Sequence, residues 1–173
     1  MQNRALPFAV IIASVTAIAV TALPWFNLNR IGIEISWNGL GIASDQVLDL
    51  APNGRGWLIV AACVITGLTG LVALMPSPSA KPLARMMAGV STGASALATL
   101  VPIVIWIWPS WYFGSFQDHL ELPDDAPIGV NKLILGFLIL TLILLTGLCA
   151  GLFIERSEGL VARQQDRRTS SRR

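Results

Sequence analysis

Histidine and tyrosine each occur once in this chain, and cysteine only twice. Catalysis needs a nucleophile, a base or a metal within mutual reach, and no serine, cysteine or histidine here stands in such a pattern. Asp118-His119 with Glu121, Asp124 and Asp125 lacks the regular spacing of a calcium loop, so a solvated acidic loop is the plainer reading. No metal or redox motif is present. Cys63 and Cys149 stand at different depths of two separate apolar stretches. Bridged Cα atoms must lie within about 7 Å, so both thiols read as small packing residues. The expectation is a chain that is not an enzyme, has no cofactor and has no evident small-molecule substrate.

Charge is the second scarcity. Only 13% of residues are charged and 54% are hydrophobic, whereas about a quarter of a soluble domain is charged. The apolar residues form four blocks near Ala5–Phe26, Trp57–Met75, Met86–Trp108 and Leu133–Ile154, none with a charge in its core. Each block is long enough to cross a hydrocarbon layer of about 30 Å at 1.5 Å per residue. The sequence therefore predicts an all-α membrane protein, a single integral domain over 1–173 built as a four-helix transmembrane bundle. Intramembrane charge marks ion and proton pathways. Its absence, with no internal repeat or interrupted helix, weighs against transport by this chain alone.

Orientation follows from the flanking charges. One side carries Arg4, Lys81, Arg85, Arg156, Arg163, Arg167, Arg168, Arg172 and Arg173 against three acids, Glu155, Glu158 and Asp166. The other carries Arg30, Arg55 and Lys132 against seven acids. The positive-inside rule then places both termini in the cytoplasm of a multi-pass plasma (inner) membrane protein. All six tryptophans, Trp25, Trp37, Trp57, Trp106, Trp108 and Trp111, fall on the outer side, where an apolar ring with a polar N–H favours the interface. A cleaved signal peptide is the alternative for the first block and would leave three spans. That block exceeds the roughly 7 to 15 apolar residues such peptides use.

The first outer loop has its own pattern. Ile31, Ile33, Ile35 and Trp37 alternate with Gly32, Glu34, Ser36 and Asn38, the period of a half-buried strand. Asn38-Gly39 suits a type I′ turn, so Ile31–Trp37 is expected to pair with Leu40–Ser44 in an extracytoplasmic β-hairpin. A lone hairpin is marginal in water and should rest on the second outer loop or on the helix ends. The second loop, Pro109–Pro127, is aromatic and then acidic. Trp37, Trp111, Tyr112, Phe113 and Phe116 are the candidate partner-contact residues, with interface anchoring as the plainer alternative. Asp125-Ala126-Pro127 reads as the cap of the fourth helix.

Within the spans, Gly89 and Gly93 have close-packing spacing, and Gly136, Gly147 and Gly151 share a stripe, so these five are candidate helix-packing positions. The third helix, small nearly all round, is expected at the centre of the bundle, with much of the fourth facing lipid. Pro102 is expected to kink the third span near Ala98. The tail 155–173 is basic. Arg163, Arg167, Arg168, Arg172 and Arg173 are candidate contacts for anionic lipid, beside the plainer reading of a disordered segment that enforces topology. With no aromatic or structured element beside the charge, nucleic acid is not an expected partner.

Four helices, cytoplasmic termini and a β-structured first outer loop carrying Trp37-Asn38-Gly39-Leu40 resemble the claudin-type proteins. These include the claudins and the gamma subunits of calcium channels, whose loop has a tryptophan, a Gly-Leu-Trp pattern and two cysteines. Here Gly41 stands where the second tryptophan would follow, and the loop has no cysteine. What this resemblance implies is claudin-like architecture, with no site residue carried across. The Ala/Gly/Val-rich helices and Arg-rich tail also resemble small actinobacterial four-helix envelope proteins. One of these is the accessory subunit of the mammalian-cell-entry type lipid-import complex. That resemblance implies a non-catalytic accessory subunit whose partners are other membrane-protein subunits and membrane lipids. A self-associating claudin-like structural protein is the second expectation, and a small transporter the third.

Overall fold

The computed structural model describes residues 4–29, 32, 34–44, 54–77, 80–113 and 129–170, with backbone alone at 80–81, 113 and 158–170. Helix α1 spans Ala5–Thr21, α2 Gly56–Leu74, α3 Ala80–Ile107, the short α4 Ser110–Phe113, and α5 Lys132–Ser170. Three short strands, β1 Pro24–Asn27, β2 Ser36–Asn38 and β3 Gly129–Val130, form one sheet in the order β2-β1-β3. The helices α2, α3 and α5 are long and apolar enough to cross a membrane, and α1 is apolar but shorter. Its 17 residues extend about 26 Å at 1.5 Å per residue. The chain is thus a mainly helical protein of the membrane-spanning type with a small sheet.

The first apolar block does not stay helical to Phe26. Helix α1 stops at Thr21, and Pro24 opens a strand. Proline offers no N–H to a preceding turn and pushes the residue before it out of the helical region. Hydropathy cannot register this, because Trp25 and Phe26 are as apolar in a strand as in a helix. At the other extreme, α5 continues through the basic segment to Ser170. Its 39 residues reach about 58 Å, so the part of the tail up to Ser170 is helical and not the disordered segment that its composition permits.

Each long helix turns one narrow stripe inward. On α5 the buried positions are Leu135, Leu138, Leu142, Leu145, Cys149 and Leu152, and on α3 they include Ala84, Ala88, Ser91, Ser95, Ala98 and Ile105. Alternating steps of three and four are the seam of coiled-coil-like packing. The leucine seam of α5 faces a seam of alanines and serines on α3, so large side chains fill the space that small ones leave. Helix α2 packs on α1 and α3, and α5 packs on α3 and α1. This closes a ring of four antiparallel neighbours. Helix α3 is accordingly a member of the ring and not its centre. It runs through Pro102 as one helix.

The hairpin forms at the expected place with a different turn. Asn38 N–H donates to the Ile42 carbonyl at 3.1 Å, Gly41 N–H to the Asn38 carbonyl at 3.1 Å, and Trp37 bridges to Ala43. The loop therefore has three residues, 39–41, and the positive φ of 83° falls on Gly41, not on Gly39. This is a turn closed by a bulge glycine in place of type I′. The extra residue flips the return segment: Ala43 packs on the core while Ile42 is exposed. A one-residue shift has that effect on every side chain that follows. Ile35 and Trp37 are buried and Glu34 exposed, as the alternation predicts. Ile31 and Ile33 lie outside the described residues.

Candidate functional site: an aromatic cap on one end of the bundle

Strand β1 leaves α1 directly, and Phe26 pairs with Trp37 of β2 and with Val130 of β3. The sheet thereby ties together the ends of α1 and α5. A bulge between Pro24 and Phe26 lets two consecutive rings, Trp25 and Phe26, point inward. Both are buried, together with Leu28, Trp37 and Tyr112. Tyr112 on α4 stacks on Phe26 at 4.6 Å between centroids and lies tilted against Trp25 at 6.2 Å. Its hydroxyl donates to the Asn38 carbonyl. Burial pushes the Tyr112 phenol well above its ordinary pKa, and a Gly41 backbone hydrogen bond acts in the opposite direction.

The hairpin tip sits between two helix ends. Gly39 N–H donates to the Thr21 carbonyl at 3.0 Å, closing the last turn of α1, and the Gly39 carbonyl accepts the Gly56 N–H at 2.8 Å, capping the first turn of α2. Helix termini leave such groups without partners. One residue of the turn thus serves both ends. A Cβ at Gly39 would overlap the Trp25 ring and come within 2.8 Å of the Thr21 carbonyl. One at Gly56 would strike the Gly39 carbonyl, and one at Gly54 the Leu40 carbonyl. Asn131 completes the cap: its N–H donates to the Trp25 carbonyl at 2.8 Å and its Oδ1 accepts the Ile134 N–H at 3.3 Å. The N-cap of α5 is therefore Asn131. The segment 125–127 lies outside the described residues.

This geometry sorts the aromatics into two groups. Trp25, Trp37 and Tyr112 are core residues of the cap, so Trp37 and Tyr112 do not form a surface that a partner can reach. Trp57, Trp106 and Trp108 are exposed at the same end of the ring, in keeping with interface-seeking indoles. Trp111 is half-buried under the Arg55 guanidinium, whose Cζ stands 4.8 Å from the ring centroid. Phe113 is described by backbone alone. Phe116, His119 and the acids of residues 118–125 lie outside the described residues. Among the described residues no group of three or more His, Cys, Asp or Glu is placed to hold a metal ion. Cys63 and Cys149 are buried free thiols.

Below the cap, hydroxyl pairs link α1 to α2, α2 to α3 and α3 to α5. Ser14 on α1 meets Thr66 on α2 at 2.8 Å, and Thr69 on α2 meets Ser91 on α3 at 2.7 Å. Thr146 on α5 donates to Ser95 on α3 at 3.0 Å. Ser14, Thr66, Thr69, Ser95 and Thr146 each also have a carbonyl of their own helix within reach, as Ser14 has Val10 at 2.8 Å and Ser95 has Ser91 at 2.7 Å. In an apolar interior such pairs hold helices in register, at about 0.6 to 2 kcal/mol each. Single serines and threonines look ordinary in sequence. Only the 3.5-residue spacing of Ser91, Ser95 and Ala98 with the alanines before them marks the seam.

The five packing glycines divide in the same way. A Cβ at Gly136 would come within 3.3 Å of Trp106, one at Gly89 within 3.5 Å of Phe153, and one at Gly151 within 3.8 Å of Leu6. Gly93 and Gly147 face open space and make no close helix approach. The tightest approach between helices falls instead on Gly70 of α2, where a Cβ would lie 2.7 Å from Ile11 and 3.0 Å from the Pro7 carbonyl. Between α1 and α5 an outward-facing apolar groove of about 530 Å³ is lined by Ile12, Ala13, Thr16, Phe137, Leu140 and Leu144, among others. Arg163, Arg167 and Arg168 lie on the backbone-only part of α5, and Arg172 and Arg173 lie outside the described residues.

Compared with known protein families, curated proteins and solved structures, this chain matches none. The class that can be stated is the one its own helices define, a membrane protein with an aromatic, β-structured cap.

Proposed function

We propose that this protein is a non-catalytic accessory or assembly subunit of a larger complex in the plasma membrane, with both termini cytoplasmic. A lipid-import complex is the best fit among such assemblies. The observation that carries this reading is the division of the helix surfaces. The inward stripes combine hydroxyls and small side chains with the leucine seam of α5, while Phe8, Ile12, Val15, Leu97, Leu140 and Ile143 face outward. A soluble bundle buries its largest apolar groups. Here large apolar side chains also cover the outside of the helices, where lipid or another membrane subunit meets them, and the cap spends its rings on closing the bundle. Lateral contact is the work such a surface can do.

The resemblance to mammalian-cell-entry accessory subunits supplies the lipid-import assignment. A self-associating, claudin-like structural role is the second reading, favoured by the hairpin that rests on the helix ends. The small-transporter reading draws on the α1–α5 groove, which opens sideways and not along the bundle axis. Copurification of the tagged chain in a gentle detergent tests the proposal. Stoichiometric unlike membrane proteins support it. A homo-oligomer alone would replace it with the claudin-like reading.

A further inference from the structure

At the end of the bundle opposite the sheet, the guanidiniums of Arg85 and Arg156 have different surroundings. Arg156 of α5 donates from Nη2 to the Ala73 carbonyl at 2.7 Å and so closes the last turn of α2. Arg85 of α3 lies over the Phe153 ring, its Cζ 5.5 Å from the centroid. Among the described residues Arg85 makes no hydrogen bond or ion pair. Phe153 is itself seated against Gly89, one turn from Arg85, and the cluster Ala73, Ala84, Ala88 and Leu152 forms the floor beneath. A notch at Gly89 thus holds the ring, and the ring holds the guanidinium.

An aromatic face attracts a guanidinium by about 0.5 to 1 kcal/mol at an exposed site, but it uses few of the five N–H donors. Those donors form a planar fork that matches phosphate oxygens in pairs. Arg85 lies about 33 Å along α3 from Ile107, one hydrocarbon thickness from the capped end. That is the level of lipid phosphates. Leu83 and Met86 on either side of it are exposed, so the guanidinium emerges among lipid-facing side chains. Arg156, three residues beyond Phe153 on the same face of α5, adds a second positive charge.

We propose that Arg85, positioned by Phe153, binds the phosphodiester of an anionic lipid in the leaflet at the basic end. The proposal rests on the membrane reading and is independent of the accessory-subunit reading. It also places the lipid contact on the bundle and not on the tail arginines.

The test is native mass spectrometry of the full chain, released from micelles that contain phosphatidylglycerol or phosphatidylcholine. Wild-type protein retains phosphatidylglycerol preferentially. Arg85→Gln lowers that retention about fivefold, the effect of one interfacial cation, and Phe153→Leu lowers it in part. Arg163→Gln with Arg167→Gln leaves it unchanged. Wild-type retention in Arg85→Gln overturns the proposal, as does an equal loss in the tail variant. Inorganic phosphate that protects the protein from heat as well as phosphatidylglycerol does would also overturn it, by removing the lipid as the source. Where Arg85→Gln yields no folded protein, unchanged retention in Phe153→Leu is the overturning result.

Discussion

Gly39 and Gly56 meet backbone to backbone, 2.8 Å from carbonyl oxygen to amide nitrogen, while Gly39 N–H reaches Thr21 at 3.0 Å on the other side. A single residue of the hairpin turn therefore ends one helix and begins the next. Any side chain at Gly39 enters the Trp25 ring. Gly39→Ala is expected to lower stability by about 2 kcal/mol or more, read as thermal unfolding in detergent. Gly93→Ala, which meets open space, should be neutral or stabilise by up to about 1 kcal/mol. Equal effects at the two positions would contradict the wedge.

Tyr112 makes a pH-dependent contribution. Its pKa in the folded chain is raised above the ordinary value of 10.0, so the neutral phenol is the form that folding favours. Stability from this group is complete below about pH 10. It falls as the pH rises further, because the unfolded chain releases its proton first. Tyr112→Phe should flatten that alkaline slope and cost about 1 to 2 kcal/mol at neutral pH through the lost bond to Asn38. An unchanged slope would assign it to other groups.

The interhelical hydroxyl pairs predict modest, coupled effects. Thr69→Ala and Ser91→Ala should each cost about 1 kcal/mol, and the double variant less than their sum. Strict additivity would mean that the 2.7 Å contact carries no energy. A bulky Ser95→Leu is expected to be far worse than Ser95→Ala, because the α3 seam has no space for it.

The inward alternation of β2 and the topology are tested separately. Ile35→Asp should disrupt folding far more than Glu34→Lys, since Ile35 is buried and Glu34 exposed. Cysteine at the exposed Ser44 should react with an impermeant thiol reagent in whole cells, and cysteine at Ser170 should not. The native Cys63 and Cys149 are buried and give little background. Labelling at Ser170 would reverse the orientation.

Three of the long helices were legible because hydropathy and length suffice for them. The end of α1 was not, since a strand of Trp25 and Phe26 is as apolar as the helix it follows. The alternation of Ile35 with Trp37 was legible, whereas the turn was decided by Gly41, which supplies the positive φ expected of Asn38-Gly39. Tryptophan position was readable from sequence and tryptophan burial was not. Trp57 and Trp108 are exposed at the capped end, while Trp25 and Trp37 are core residues because the sheet folds back over the helix ends. The hydroxyl pairs and the Gly39 wedge depend on contacts between elements distant in sequence, which no local pattern announces.

Photo-crosslinking in intact cells tests the central claim, that this protein works by lateral contact. The crosslinker is placed at the exposed positions Trp57, Leu97, Trp108 and Leu140 in turn. Stoichiometric adducts with one or two unlike membrane proteins are expected from a subset of these faces, with His119→Ala leaving them intact. Adducts with lipid alone at every position, or with a second copy alone, would contradict it.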